Sequence, residues 1–182
     1  MIAFLYPGQG SQHAGMGAAW RQHDSWELVV EASDTTGRDV GRLLLEAGDD
    51  ELRETRNAQL ATFVTSMVAF DALSRLGIET SGHAGHSLGE YSALAASGVL
   101  DFGDAVRLVA ERGEAMQAAA DEHDGTMAAI IVSTTPTLKL PCPASTIAGL
   151  RTTTPRARSL SLEVPTGSRL AELRARRLAQ SE

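Results

Sequence analysis

The sequence is poor in several things, and each shortage excludes something. It holds one cysteine, Cys142, so it can build neither an internal disulfide framework nor a multi-cysteine metal site. No apolar run approaches the roughly 20 residues that span a bilayer. The opening residues, Met1 to Pro7, carry no basic segment and run at once into Pro7-Gly8, which is not the pattern of a secretory signal. Aromatic residues make up only 4% of the 182 positions, and lysine occurs once, as Lys139. The net charge is −7, the wrong sign for a protein that grips a phosphate backbone. The expectation is a soluble, cytoplasmic protein about one domain long, an enzyme or a partner-binding domain, with no nucleic-acid or membrane partner.

The averages conceal a break. Residues 1–132 carry 8 basic and 20 acidic side chains, whereas residues 133–182 carry 8 basic and 3 acidic ones. All eight Phe, Tyr and Trp residues precede position 133; five of the six prolines follow it, as does the cysteine. The last 50 residues hold 14 Ser or Thr, no Asp and no aromatic, and so have little from which to make a core.

Hydrophobic patterning in the first part alternates between strand and helix. Ile2 to Tyr6 is a short apolar run ended by Pro7-Gly8, a buried strand entering a loop. Ala58 to Leu76 is a helix, with Leu60, Phe63, Val64, Met67, Val68 and Leu73 at helical spacing and Gly77 as its stop. Ser81 to His86 is a weak strand. An Ala-rich helix follows over Glu90 to Ser97, ended by Gly98. Asp101 caps a further helix through Val106, Val109 and Met116 to about His123, with Asp104 in its first turn. Thr126 to Val132 is another short strand. Such alternation predicts an α/β fold with a largely parallel sheet.

The chemistry centres on Gly85-His86-Ser87-Leu88-Gly89. A Gly-x-Ser-x-Gly pattern between a strand and a helix is a nucleophile elbow. The turn forces Ser87 into strained backbone geometry, the glycines two residues to either side remove Cβ atoms that would clash, and the Leu88 amide can point at an oxyanion. The bland alternative is a simple turn serine. Gln9, in the Gly-flanked loop Gly8-Gln9-Gly10-Ser11-Gln12 at the carboxyl end of the first strand, could give a second oxyanion hydrogen bond or orient substrate. On its own it would be only a polar loop residue. Arg112 is either part of a solvated helix face, a role for which Arg107 and Glu111 compete, or a bidentate clamp for a carboxylate.

Four segments carry a resemblance: Tyr6-Pro7-Gly8-Gln9-Gly10-Ser11-Gln12, then Gly15-Met16-Gly17, then Gly85 through Leu94, then Arg112-Gly113 with Met116. In order and spacing they resemble malonyl-CoA:acyl carrier protein transacylases over residues 1 to about 132. The resemblance implies an α/β-hydrolase-like large subdomain, here incomplete over residues 1–125, and a small ferredoxin-like subdomain whose first strand is 126–132. It implies ping-pong acyl transfer; the chain, if folded, is expected to be a monomer. Ser87 attacks the malonyl thioester of coenzyme A, and the acyl group then passes to the phosphopantetheine thiol of acyl carrier protein, in fatty acid or polyketide synthesis. Arg112 would bind the malonyl carboxylate, and Gln9 with the Leu88 amide would form the oxyanion hole. No metal and no cofactor is implied beyond the coenzyme A thioester as substrate. A serine esterase shares the elbow but has no use for Arg112; a non-catalytic, carrier-protein-binding remnant is the alternative outside enzymes.

One part of the family pattern is lacking in these 182 residues. The family uses a His well downstream of the Ser as general base, and a neutral Ser is a poor nucleophile without one. The histidines here are His13, His23, His83, His86 and His123. His86 adjoins Ser87 but is expected to point away from the hydroxyl and to make structural hydrogen bonds under the turn. His83 and His86 alone do not make a metal site.

The genetic code offers an account of residues 133–182. Codons for Arg151 to Ser159, read one nucleotide earlier, permit a run containing Asn-Tyr-Asn-Ser-Pro-Gly, and the family carries an Asn-x-Asn-Ser-Pro-Gly segment in its small subdomain. The same shift from Ser133 to Ala148 restores an acidic stretch. The expectation is that residues from about 133 onward are a frameshifted, poorly ordered tail, and that the chain is truncated and weakly active or inactive.

Overall fold

The structure, a computed structural model, describes residues 2–122, and the account below concerns these alone. The expected strand at 126–132 and the tail at 133–182 lie outside the described residues.

The chain begins with β1, Ala3–Tyr6, stopped where Pro7 removes a backbone donor. Two short 3-10 turns follow, and Gly17 between them and the loop sits so close to Leu44 that a Cβ there would fall 2.7 Å from the Leu44 Cβ. Three short helices come next: α1, Glu27–Thr36, α2, Val40–Leu45, and α3, Asp49–Arg53. Sequence patterning left this stretch without elements. Helices this short are marginal by propensity and exist because Val29, Ala32, Val40, Leu43, Leu44 and Leu52 are buried against neighbours.

α4, Thr55–Arg75, is the central helix. It begins three residues before the predicted start and ends one before the predicted end. Every residue from Asn57 to Val64 is buried, because α1, α2, α3, α5 and α6 all pack on it. Gly77 ends it as predicted, with a φ of 76° and its N–H bonded to the Ser74 carbonyl at 2.9 Å.

β2, Gly82–Gly85, pairs in parallel with β1, with Ala3 opposite Gly82 and Tyr6 opposite Gly85. α5, Leu88–Ala96, and α6, Phe102–Glu122, complete the described fold. Asp101 caps α6, its carboxylate accepting from the Gly103 N–H at 2.9 Å. α6 turns Ala105, Val106, Val109 and Gly113 inward, a helical stripe. At Gly113 α6 passes close to α4: a Cβ there would lie 3.0 Å from the Arg56 Cα. The expected α/β class with parallel strands holds for the described residues.

One face of the two-stranded sheet is covered. Phe4 and Tyr6 alternate onto it and pack edge-on against Phe70 of α4. His83 stacks on Tyr6, and the Tyr6 hydroxyl is hydrogen-bonded to His83 Nδ1 at 2.9 Å. Burial pushes the Tyr6 phenol up to about 12 from its ordinary 10. On the opposite face Leu5 is 79% exposed.

Candidate active site

β2 leads directly into α5 through His86 and Ser87, and Ser87 holds a φ of 54° and ψ of −108°. It is the one non-glycine residue with positive φ among the described residues. Such a conformation costs on the order of 1–3 kcal/mol and persists only where the surroundings over-determine it.

Those surroundings can be named. A Cβ on Gly85 would lie 1.9 Å from the Gly89 carbonyl oxygen, and a Cβ on Gly89 would lie 2.3 Å from the carbonyl oxygen of Tyr6. Neither position can carry a side chain while the turn is closed. Leu88 plugs the start of α5 into the core and is fully buried. Its N–H belongs to the first turn of the helix, where amides have no intrahelical partner. Ser87 itself is exposed.

The loop carrying Gln9 passes beside this elbow. A Cβ on Gly8 would lie 3.0 Å from the His86 carbonyl oxygen. The loop is held by its own bonds, from the Gly10 N–H to Gln12 Oε1 at 2.7 Å and from the Ser11 hydroxyl to the Gly8 carbonyl at 3.1 Å. Gln9 is exposed, and its Nε2 donates to Thr55 Oγ1 at 3.5 Å, at the N-terminus of α4. The Thr55 N–H in turn donates to Gln117 Oε1 at 2.7 Å.

Arg112 reaches the elbow from α6. Its Nη2 donates to Ser87 Oγ at 3.0 Å, its Nη1 donates to Gln59 Oε1, and its Cζ lies 5.7 Å from the centroid of the Tyr91 ring. Among the described residues no carboxylate lies within ion-pair distance of it. Of the two competitors for the solvated face, Arg107 pairs with Asp104 at 2.8 Å and Glu111 is exposed. The half-buried Arg112 guanidinium is thus surrounded by an amide oxygen, a hydroxyl and an aromatic ring, all neutral. That leaves its charge available to an anion.

Two residues of this arrangement escaped the sequence reading. Gln59 is fully buried, accepts from Arg112 and donates through Nε2 to Met116 Sδ at 3.2 Å. A lone amide inside the apolar stretch Ala58 to Val64 was the available sign. Tyr91 lay inside the elbow motif but gave no hint of its ring's position. His86 departs from expectation. Its carbonyl accepts from the Gly89 N–H at 2.9 Å, but its imidazole makes no hydrogen bond among the described residues and lies beside Gly8. The histidine with a side-chain hydrogen bond beneath the elbow is His83, because an inward strand position faces Tyr6 and His86 is already past the strand end.

Two concave regions of about 440 Å³ lie around Arg38 and Glu114 rather than at Ser87. Arg38 and Arg56 there share Glu114, while Glu51 pairs with Arg42 and Arg107 with Asp104; Ser87 is exposed. No helix among the described residues is long and apolar enough to cross a membrane.

Comparison with known proteins identifies the family. The acyl transferase domain family matches residues 3–152. A malonyl CoA-acyl carrier protein transacylase of Bacillus subtilis is 47% identical over 132 residues, covering 71% of this chain and 33% of that protein. The crystal structure of an acyl-carrier-protein S-malonyltransferase from Burkholderia pseudomallei aligns with a TM-score of 0.61 at 43% identity, over 64% of this chain and 39% of that one. A malonyl-transacylase in complex with its type II polyketide acyl-carrier protein aligns with a TM-score of 0.60 at 42% identity, over 64% and 39%. The chain spans between a third and under half of the length of the curated transacylases it matches.

Proposed function

The chain belongs to the acyl transferase domain family, and from that premise we propose that it carries the nucleophile half of a malonyl-transfer site. Ser87 attacks the thioester carbonyl of malonyl-CoA, the C–S bond breaks, coenzyme A leaves as its thiol, and the malonyl group stays as a seryl ester. The phosphopantetheine thiol of acyl carrier protein then attacks that ester, takes the malonyl group as a thioester and frees the Ser87 hydroxyl. The Leu88 amide and the Gln9 side chain receive the oxyanion. Arg112 pairs with the free malonyl carboxylate, and coenzyme A takes part only as the substrate's thioester. The single observation that carries this reading is a half-buried guanidinium with no carboxylate partner among the described residues, 3.0 Å from the hydroxyl of an elbow serine. An esterase has no need of that charge. The large subdomain is read as α/β-hydrolase-like, and residues 133–182 as the product of a frameshift.

Among the described residues the group bonded to Ser87 Oγ is Arg112, and no histidine or carboxylate joins it. A serine at the elbow without a base stays protonated near neutral pH, so acylation is the step that suffers. Oxyanion donors and binding groups alone leave a residual acceleration of about 10³–10⁴ over water in a stripped triad enzyme. The 182-residue chain should therefore acylate slowly.

The test is incubation of this chain with radiolabelled malonyl-CoA, with and without carrier protein. Slow labelling that vanishes in Ser87→Ala, speeds up on adding imidazole as an external base, and transfers to the carrier thiol supports the reading. Labelling that persists in Ser87→Ala overturns it.

A further inference from the structure

The Arg112 guanidinium has a third neighbour besides its two hydrogen-bond acceptors, and that neighbour is an aromatic face. Tyr91 lies four residues after Ser87 on α5, about one helical turn away, so ring and nucleophile belong to one rigid element. The ring is partly buried and packs against the hydrophobic core, which fixes its own position. Arg112 Cζ sits over it, 5.7 Å from the centroid. An aromatic ring attracts a guanidinium through its face and leaves the N–H edge free, whereas another acceptor would compete with substrate for those donors. The two known acceptors use one donor each, Nη1 to Gln59 and Nη2 to Ser87. A guanidinium carries five donors, so others stay available while the ring holds the charge in place.

We propose that Tyr91 is a positioning residue that sets selectivity for acyl groups bearing a free carboxylate, by holding the Arg112 guanidinium beside Ser87 with its N–H edge presented to substrate. The inference rests on the malonyl-transfer reading above. It assigns Tyr91 no contact with the reacting atoms.

Binding and spectroscopy test it without turnover. In the Ser87→Ala chain, which cannot be acylated, calorimetry compares malonyl-CoA with acetyl-CoA. Tyr91→Leu is expected to weaken malonyl-CoA binding about three- to tenfold and acetyl-CoA binding less than about twofold, and Tyr91→Phe to restore the parent values, since the ring and not the hydroxyl acts. In the Ser87-containing chain labelled with ¹⁵N-arginine, the Arg112 Nε–H resonance, identified by its loss in Arg112→Ala, should carry a ring-current shift. That shift should disappear in Tyr91→Leu and survive in Tyr91→Phe. Tyr91→Met, with circular dichroism as a check on folding, stands in if the Leu variant does not fold. An unchanged resonance and unchanged malonyl preference in a folded ring-less variant overturns the proposal, as does a Phe variant that behaves like Leu. A parent chain without any malonyl preference overturns the selectivity role together with the malonyl reading, while a surviving ring-current shift would still report the Tyr91–Arg112 contact.

Discussion

Arg112 donates to the hydroxyl of Ser87 at 3.0 Å from a different helix, 25 residues further along the chain. The contact depends on how closely α6 approaches α4, because Gln59 of α4 holds the other arm of the same guanidinium. It also sets a cation beside the oxygen proposed as nucleophile. Four expectations follow from this geometry and the fold beneath it.

Replacing Arg112 should separate acyl groups by charge. On the proposed reading Arg112→Ala removes the partner of the malonyl carboxylate, whereas the loss of its bond to Ser87 Oγ is common to both acyl groups. A charge-assisted hydrogen bond contributes about 1.5–3 kcal/mol, so malonyl labelling of Ser87 should fall roughly 10- to 150-fold and acetyl labelling far less. Arg112→Lys keeps the charge but cannot reach Gln59 and Ser87 with one planar fork, and should recover only part of the loss. Equal losses for malonyl and acetyl groups would sink the clamp.

The elbow should not tolerate a methyl group. A Cβ on Gly85 meets a backbone carbonyl oxygen at 1.9 Å, and backbone cannot rotate away as a side chain can. Gly85→Ala should open the turn, relax the positive φ of Ser87 and abolish labelling by malonyl-CoA. Gly48, whose Cβ would meet nothing within 4 Å, is the control, and Gly48→Ala should label like the parent. Normal labelling of Gly85→Ala would contradict the turn geometry.

Gly113 should matter for position rather than chemistry. A Cβ at this site meets the Arg56 Cα at 3.0 Å, so Gly113→Val must push α6 off α4. Overpacking of this kind costs about 1–3 kcal/mol. We expect a lowered denaturation midpoint and, because Arg112 moves with α6, a selective loss of malonyl over acetyl labelling. A variant that loses stability but keeps its acyl preference would show that Arg112 does not depend on this approach.

Stability should decline between pH 10 and 12 through Tyr6. Its phenol is raised by burial to about 12 from an ordinary 10, so the neutral form is favoured in the folded chain. The contribution is complete below pH 10 and is lost as pH rises toward 12, because the unfolded chain releases the proton first. Denaturation midpoints measured across this window should fall less steeply in Tyr6→Phe. The sequence holds two tyrosines, so the difference in phenolate absorbance between parent and Tyr6→Phe isolates Tyr6. Ionisation of that difference signal near 10 would refute the buried assignment.

Local grammar determined much of this protein. Pro7, Gly77 and Asp101 mark element ends and caps that depend on one or two neighbouring residues, and each acts where the sequence places it. The elbow was legible for the same reason, since Gly85, Ser87 and Gly89 specify a turn through their own Cβ atoms or lack of them. Tertiary structure alone decided what meets across the chain. Whether Arg107 or Arg112 would face Ser87 could not be read from charge pattern, because both lie on α6; the choice fell to which face of that helix Val106, Val109 and Gly113 bury against α4. Gln59 and Tyr91 became part of the site for the same reason. A side chain's partner 25 or 53 residues away is fixed by helix packing, whose directions depend on the whole core and not on the residues beside it. The short helices α1 to α3 belong to this second class, being too brief to hold their shape without the core they cover.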